Sequence, residues 1–225
     1  MREQAEHQSG IQELIRRLRK HPDDYQAWHA LGHEHEEAGR LELAVKAYEM
    51  SLRTPRGWYS YCLCSWHRLG HLYDSLHLPV KAFNAYHRLL AAHPQDPCAL
   101  AGLGWIHAER GEQVRAISYY TRALAADPEN VDVCNNLALA YENIRDFDRA
   151  LLLYQQALSL EPRHLHSLWN RGLLYERMGD QPRALLAYQT LLDIYPDHPD
   201  AKRMLSLIHE RGRFLPAYDR LDSQA

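Results

Sequence analysis

Residues 97–130, PCALAGLGWIHAERGEQVRAISYYTRALAADPEN, contain the pattern that decides the fold. Alanine, tyrosine and proline residues of this stretch recur every 34 residues toward the C-terminus. The returning positions are Ala116, Ala150 and Ala184; Tyr120, Tyr154 and Tyr188; and Pro128, Pro162 and Pro196. A fixed period of this length indicates stacked supersecondary units, none of which can bury its apolar face alone.

Within one period, the spacing of the apolar residues predicts two antiparallel helices. Gly111 interrupts that spacing, and a glycine can adopt the left-handed conformation that ends a helix. Asp96 and Pro97 supply an N-cap and a first helical residue, and Pro128 stops the second helix. Each period is therefore predicted to be one helical hairpin.

The hairpin before this stretch has the fullest version of the pattern. Its matching residues are Trp66, Leu69, Gly70, Tyr73, Ala82, Tyr86 and Pro94. The pattern resembles the tetratricopeptide repeat family, and in particular its bacterial members that consist of repeats alone. The resemblance covers about residues 25–198. The resemblance implies an all-α fold, a right-handed α-solenoid of antiparallel helix pairs.

The repeat step predicts a single superhelical domain over residues 9–211. Its parts are a half unit at 9–21, repeats at about 25–56, 63–96, 97–130, 131–164 and 165–198, and a capping helix at 199–211. Residues 1–8 are polar and are predicted to be a disordered tail, and residues 212–225 form a C-terminal tail.

The second repeat departs from the regular step. It follows the first by 38 residues, and four extra residues add about one helical turn. Segment 57–76 is therefore predicted to be a first helix lengthened by one turn, which projects Trp58, Tyr59 and Tyr61 beyond the stack.

Two repeats lack the glycine that otherwise ends the first helix. His77 in repeat two and Arg145 in repeat four occupy that position. Because side chains with a Cβ disfavour the left-handed conformation, both turns are expected to be less favourable than the glycine turns.

The composition excludes several classes of protein and partner. A formal net charge of −3 and a pI near 6.6 argue against nucleic acid and acidic membranes as partners. No apolar run approaches the roughly 18–20 residues that span a bilayer, so no membrane insertion is expected. The 4 cysteines lack framework-like spacing and the first residues lack the apolar core of a signal peptide, which favours a cytoplasmic protein.

In the family that the pattern resembles, the first helices line a concave groove, and this groove is the candidate binding site. The groove residues are His29, His33, His67, Arg68, His71, Trp105, Asn135, Asn136, Leu139, Glu142, His166, Trp169, Asn170, Leu173 and Glu176. The tryptophans and leucines are typical anchors for a partner's apolar side chains. Asn136 and Asn170 occupy equivalent positions, similar to part of the asparagine ladder of the O-GlcNAc transferase repeat domain.

One row of the predicted groove is nearly all acidic, with Ala108 as the exception. Its acidic members share one position of the repeat and are Glu36, Asp74, Glu142, Glu176 and Glu210. The row is either a solvated rim or a surface that attracts a neutral to basic peptide. No catalytic motif such as a glycine-rich phosphate loop is present. The predicted function is thus a non-catalytic scaffold or adaptor, without a cofactor, that binds a peptide or a partner protein.

Two alternatives remain open. The pairs His29–His33 and His67–His71 and the thiol of Cys64 offer ligands that suit a divalent metal of the Zn²⁺ or Ni²⁺ type. The same histidines can instead be ordinary polar or pH-sensitive contacts to a ligand. The other alternative is a homo-oligomer that assembles through the ends of the stack or through apolar residues of the C-terminal tail, which are Phe214, Leu215 and Tyr218.

Overall fold

The computed structural model describes residues 2–53 and 61–218, with side chains for 8–53 and 64–208. Within this part of the chain there are twelve α-helices. In order they are α1 (Arg2–Lys20), α2 (Tyr25–Glu37), α3 (Leu41–Arg53), α4 (Tyr61–Ser75), α5 (Pro79–Ala92), α6 (Pro97–Glu109), α7 (Gln113–Ala126), α8 (Val131–Asn143), α9 (Phe147–Leu160), α10 (Leu165–Arg177), α11 (Gln181–Ile194) and α12 (Pro199–Tyr218). None of these described helices is long and apolar enough to cross a membrane.

The chain divides into two compact units, Met1–Arg110 and Gly111–Ala225. Unit one contains α1 to α6, and unit two contains α7 to α12. The single domain over residues 9–211 therefore stays a prediction.

Inside each unit, every helix packs against the next helix in the chain. Short connections between consecutive helices make these neighbours antiparallel. The first helices of successive repeats also touch, since α4 contacts both α2 and α6 and α10 contacts α8. This extra contact is what stacked hairpins require. We call the surface of α2, α4 and α6 the first-helix face of unit one, and that of α8 and α10 the first-helix face of unit two.

One tyrosine on each second helix is buried in the core. The five are Tyr48, Tyr86, Tyr120, Tyr154 and Tyr188, and each is at most 1% exposed. A Cβ added to Gly32 would lie 2.8 Å from the Tyr48 ring, and one added to Gly70 only 2.3 Å from Tyr86. Glycine is needed at these crossings because the interior is close-packed and leaves no room for a methyl group.

The ends of the helices follow the expectations from the sequence. Asp96 accepts a hydrogen bond of 2.8 Å from the backbone N–H of Ala99, and Pro97 is the first residue of α6. His77 and Arg145 adopt positive φ angles of +54° and +64°, the left-handed conformation that glycine would adopt more easily. The predicted turn positions are therefore confirmed.

Both ends of the described chain are more helical than predicted. Helix α1 begins at Arg2, so the disordered tail predicted at 1–8 is wrong for residues 2–8. Helix α12 continues to Tyr218, beyond the predicted end of the capping helix at 211. The repeat pattern has no template outside its periods, whereas good helix formers such as those of 2–8 extend a helix on local propensity. The side chains of 209–218, including the apolar ones of the predicted assembly tail, lie outside the described residues.

Helix α4 is longer at its start than its counterpart in repeat one. A step of 38 residues from Tyr25, the first residue of α2, leads to Leu63, whereas α4 begins at Tyr61. The described part therefore contains two residues of the predicted extra turn. The rest of that turn, with Trp58, Tyr59 and the side chain of Tyr61, lies outside the described residues.

Candidate functional site

A chain of hydrogen bonds connects the first-helix face of unit one with its core. His29 Nδ1 lies 2.9 Å from Ser65 Oγ, which lies 2.8 Å from Ser51 Oγ. Ser51 Oγ donates to the carbonyl oxygen of Tyr48 at 2.7 Å. Because each hydroxyl has one proton, Ser65 must donate to Ser51, and His29 must donate to Ser65 through Nδ1–H. The chain thus fixes the tautomer of the His29 imidazole.

The neighbouring side chains on this face are polar, and those of His33, Glu37 and Arg68 are exposed. The His33 imidazole lies 3.9 Å from the Glu37 carboxylate, and Arg68 donates to Glu36 at 3.3 Å. Burial, followed by the charges of His33 and Arg68, lowers the pKa of His29. The lowered pKa favours the neutral imidazole, in which Nε2 is the acceptor nitrogen.

Three side chains of the metal-ligand type converge where α4 meets α6. They are His67 and His71 on α4 and Cys98 on α6, and their ligand atoms lie within 4.8 Å of one another. The two imidazole centroids are 4.8 Å apart, with the rings edge to face at 71°. His67 and Cys98 are half-buried, whereas His71 is exposed.

This cluster differs from the metal ligands predicted from the sequence. Among the described side chains, the cluster does not include Cys64, His29 or His33. Cys64 is exposed, and His29 is engaged by the hydroxyl of Ser65. Cys98 occupies in repeat three the position that Cys64 has in repeat two, 34 residues earlier. The repeat period was therefore the signal that could have identified Cys98.

A pocket of about 360 Å³ opens beside Trp105 on unit one. Trp105 is 48% exposed, although indoles are usually well buried in folded proteins. The turn between α4 and α5 forms one wall of the pocket, and α6 forms the other. The lining residues are Asp74, His77, Leu78, Pro79, Trp105, Ile106, Glu109 and Arg110.

In unit two, a buried amide links the two first helices. Asn135 is 5% exposed, and its Oδ1 accepts hydrogen bonds from Ser167 Oγ at 3.3 Å and Asn170 Nδ2 at 3.1 Å. Its Nδ2 donates to Asn136 Oδ1 at 3.4 Å. Asn135 therefore holds α8 and α10 together, and its side chain is not presented to a ligand as the groove prediction requires. Asn136 and Asn170 are half-buried.

The other predicted contacts of unit two differ in how far they are exposed. The Trp169 indole is half-buried and stacks on the His198 imidazole, with centroids 5.1 Å apart. Leu139 and Leu173 are also half-buried, and His166 is exposed. Trp169 thus packs against the start of α12, whereas His166 is open to solvent.

The acidic row accepts hydrogen bonds from the buried tyrosines. The four pairs are Tyr48 with Glu36 at 2.9 Å, Tyr86 with Asp74 at 2.6 Å, Tyr154 with Glu142 at 3.1 Å and Tyr188 with Glu176 at 3.0 Å. Burial and the adjacent carboxylate raise the pKa of each tyrosine. The row is therefore part of the hydrogen bonding inside the hairpins. The constant separation of 12 residues in these pairs was the available signal in the sequence.

Glu142 is the most enclosed of the members of the row whose side chains the structure describes. It is 3% exposed, accepts from Tyr154 and pairs with Arg177 of α10. Burial raises the pKa of Glu142, against the opposing effects of Arg177 and Tyr154. Glu142 therefore links α8 to α10 inside unit two, and the groove prediction did not anticipate this role.

Antiparallel helix pairs with a buried tyrosine on each second helix, stacked through their first helices inside each unit, define a helical repeat protein. A family model described as tetratricopeptide repeat matches residues 68–131 and 135–213, and a second model with the same description matches residues 25–53. The chain belongs to the tetratricopeptide repeat family. No curated protein sequence gives a significant match.

Solved structures share the fold at low sequence identity. The APC/C hetero-tetramer Cut9-Hcn1 matches with a TM-score of 0.72 and 19% identity, over 90% of this chain and 39% of that chain. YrrB, described as a TPR protein with an unusual peptide-binding site, has a TM-score of 0.67 and 19% identity, over 88% of this chain and 97% of its own. MamA from Desulfovibrio magneticus RS-1 has a TM-score of 0.69 and 15% identity, over 78% and 97% of the two chains. The predicted all-α helical-repeat fold is confirmed.

Proposed function

We propose that this protein is a non-catalytic scaffold that binds a peptide segment of a partner protein beside Trp105. The observation that carries the proposal is a large indole, 48% exposed, next to a pocket of about 360 Å³. Aromatic side chains that border a pocket are typical binding hot spots. The presence of a peptide-binding site in YrrB, which has the same fold, supports this class of function.

The lining of the pocket favours a ligand with neighbouring apolar and basic side chains. Leu78 and the Trp105 indole, which are 39% and 48% exposed, offer apolar surface. The exposed Glu109 carboxylate lies at the same pocket, beside Arg110, and can pair with a basic side chain of the ligand. The negative net charge of −3 supports a neutral to basic peptide rather than nucleic acid.

The first-helix face of unit two supplies candidates for further contacts with a partner. Asn136 and Asn170 retain part of their amide surface, and His166 is exposed. A half-buried amide can hydrogen-bond an extended peptide backbone in addition to its contacts within the protein. We propose these side chains as secondary contacts of the scaffold.

The arrangement of the ionisable groups supports a binding role rather than a catalytic one. The described tyrosine–carboxylate pairs bond to each other within the hairpins, so their groups serve the fold. The reduced thiols of Cys64 and Cys134 are in keeping with a reducing compartment, and we propose the cytoplasm.

A selected peptide tests the proposed site. The probe is a fluorescently labelled peptide chosen from a random display library on the full-length protein. Trp105→Ala is expected to weaken its binding by about 2 kcal/mol or more, roughly 30-fold, because the indole contact is lost. Fluorescence anisotropy measures the affinity.

The matched control is Leu152→Ala, which removes a side chain that is 67% exposed on the second helix α9. This variant should bind the peptide like wild type. Equal binding by Trp105→Ala and wild type would contradict the proposed site. A consensus rich in acidic residues among the selected peptides would contradict the proposed charge preference.

A further inference from the structure

We propose that His67, His71 and Cys98 form a binding site for Zn²⁺ or a similar borderline divalent ion. The two histidines are four residues apart on α4, which places them one turn apart on one side of the helix. Cys98 lies on α6, which packs directly against α4. Neutral imidazole and thiolate form a donor set that suits Zn²⁺ and its neighbours in the first transition row.

The distances require only a small closure of the cluster. Zn–N bonds of about 2.0–2.1 Å and a Zn–S bond of about 2.3 Å place tetrahedral ligand atoms roughly 3.3–3.6 Å apart. The three ligand atoms lie within 4.8 Å of one another. Side-chain rotation can supply a closure of about 1 Å here, because the His71 ring is exposed and the other two side chains are half-buried.

Comparison with repeat one explains why the cluster forms at this place. There the equivalent pair is His29 and His33, and Ser65 of the next repeat engages His29 Nδ1. Thirty-four residues after Ser65 the chain has Ala99, which is fully buried and has no hydroxyl. The imidazole of His67 is therefore not drawn toward a serine at that position, and it lies beside the thiol instead.

Three protein ligands leave a fourth tetrahedral position. Zinc sites with three protein ligands keep that position for water or for an incoming donor. The exposure of His71 places the position at the surface of the first-helix face of unit one. A bound ion would link α4 to α6, and it would release the proton of the Cys98 thiol to solvent. It would therefore stabilise the contact between repeats two and three.

Cobalt is the probe that tests the site. Full-length protein without a polyhistidine tag is reduced, freed of metal and titrated with Co²⁺. We expect one ion per chain, a thiolate-to-cobalt charge-transfer band and visible bands of tetrahedral intensity, all of which disappear when Zn²⁺ is added. Cys98→Ser should lose the charge-transfer band because it lacks the thiolate. His71→Gln should lose the tetrahedral intensity because it lacks one imidazole ligand.

The exposed thiol of Cys64 provides the matched control, because Cys64→Ser should keep the full cobalt spectrum. Circular dichroism of the metal-free variants shows whether each one folds, and His71→Gln is expected to keep the fold because His71 is exposed. Wild type without a thiolate–cobalt band would overturn the site. A band that survives in Cys98→Ser and disappears in Cys64→Ser would overturn it as well. Peptide binding measured on metal-free protein keeps this result separate from the Trp105 proposal.

Discussion

Arg145, which follows α8, adopts a left-handed backbone conformation with a φ of +64°. In repeats one, three and five a glycine occupies the corresponding turn position, with φ of +69° at Gly39 and +75° at Gly111 and Gly179. A residue with a Cβ pays about 1–2 kcal/mol in this conformation. We expect Arg145→Gly to raise the free energy of unfolding by about 0.5–1 kcal/mol, after the extra entropy of glycine in the unfolded chain is deducted. Urea denaturation measures the change.

Arg145→Ala is the control for this prediction. It removes the same charged side chain but keeps the Cβ, so its stability should remain close to that of wild type. If alanine stabilised the protein as much as glycine, the gain would come from removal of the arginine and not from the backbone.

Glu142 predicts a pH dependence with a definite sign. Burial raises its pKa in the folded protein, so the folded state keeps the proton to higher pH than the unfolded chain, whose value is near 4.5. The contribution of Glu142 to stability is then greatest below that value, and it declines as pH rises through the folded pKa. Glu142→Gln has no carboxyl group at this position, so the pH-dependent contribution to its stability is absent. The free energy of unfolding of wild type minus that of the variant should therefore fall as the pH rises from about 4.5 toward neutral.

Urea denaturation of both proteins across this range provides the measurement. The comparison between the two proteins cancels the titration of all other groups. A difference that stays constant, or that grows with pH, would show that Arg177 outweighs burial and lowers the pKa of Glu142.

The sequence predicted the role of a single residue best where that role depends on its backbone conformation. The position of Arg145 in the repeat implied its turn conformation, because every repeat must reverse direction at that point. The roles of Asn135 and Glu142 were not predictable in the same way. A position in the repeat places a residue on a helix face, but the rotamer and the next repeat decide whether its polar atoms meet protein or solvent.

At the scale of helices, the hairpin of α4 and α5 depends on a close crossing of its two helices. A Cβ added to Gly70 on α4 would lie 2.3 Å from the Tyr86 ring. Tyr86 is 1% exposed and its hydroxyl is bonded to Asp74, so the ring cannot move away easily. We expect Gly70→Ala to lower the free energy of unfolding by about 1–3 kcal/mol through overpacking. Thermal and urea denaturation measure the loss.

The control is Gly10→Ala on α1. A Cβ there would lie 3.4 Å from the Glu34 carboxyl carbon, which is ordinary contact. Helix propensity should then make this variant more stable by up to about 1 kcal/mol. Similar effects of the two substitutions would contradict the view that the tyrosine ring fixes the crossing.

The helices of the regular repeats were predictable because period, cap and turn residues agree with one another. The bounds of α1 and α12 were not, since neither helix has a partner that repeats. The cluster at Cys98 shows the same limit between neighbouring helices. Sequence spacing brought His67 and His71 together on α4, but the offset between α4 and α6 determines which cysteine lies beside them.

At the scale of the whole molecule, two sets of residues have separate tasks. The residues that repeat, above all the buried tyrosines, form the hairpins of both units. The residues that vary on the first helices give each unit its own surface, with Trp105 and the histidines in unit one and the asparagines in unit two. If this separation holds, binding depends on the variable set and stability depends on the repeated set.

The central claim is that a partner peptide covers the surface around Trp105, and hydroxyl-radical footprinting tests it most directly. The full-length protein is labelled with and without the selected peptide, and the oxidation of each side chain is measured by mass spectrometry. The peptide is expected to protect Trp105, while Leu152 and Leu186, exposed to 67% and 66% on the second helices α9 and α11, stay as reactive as before. Protection of those leucines with Trp105 still fully reactive would contradict peptide binding at Trp105.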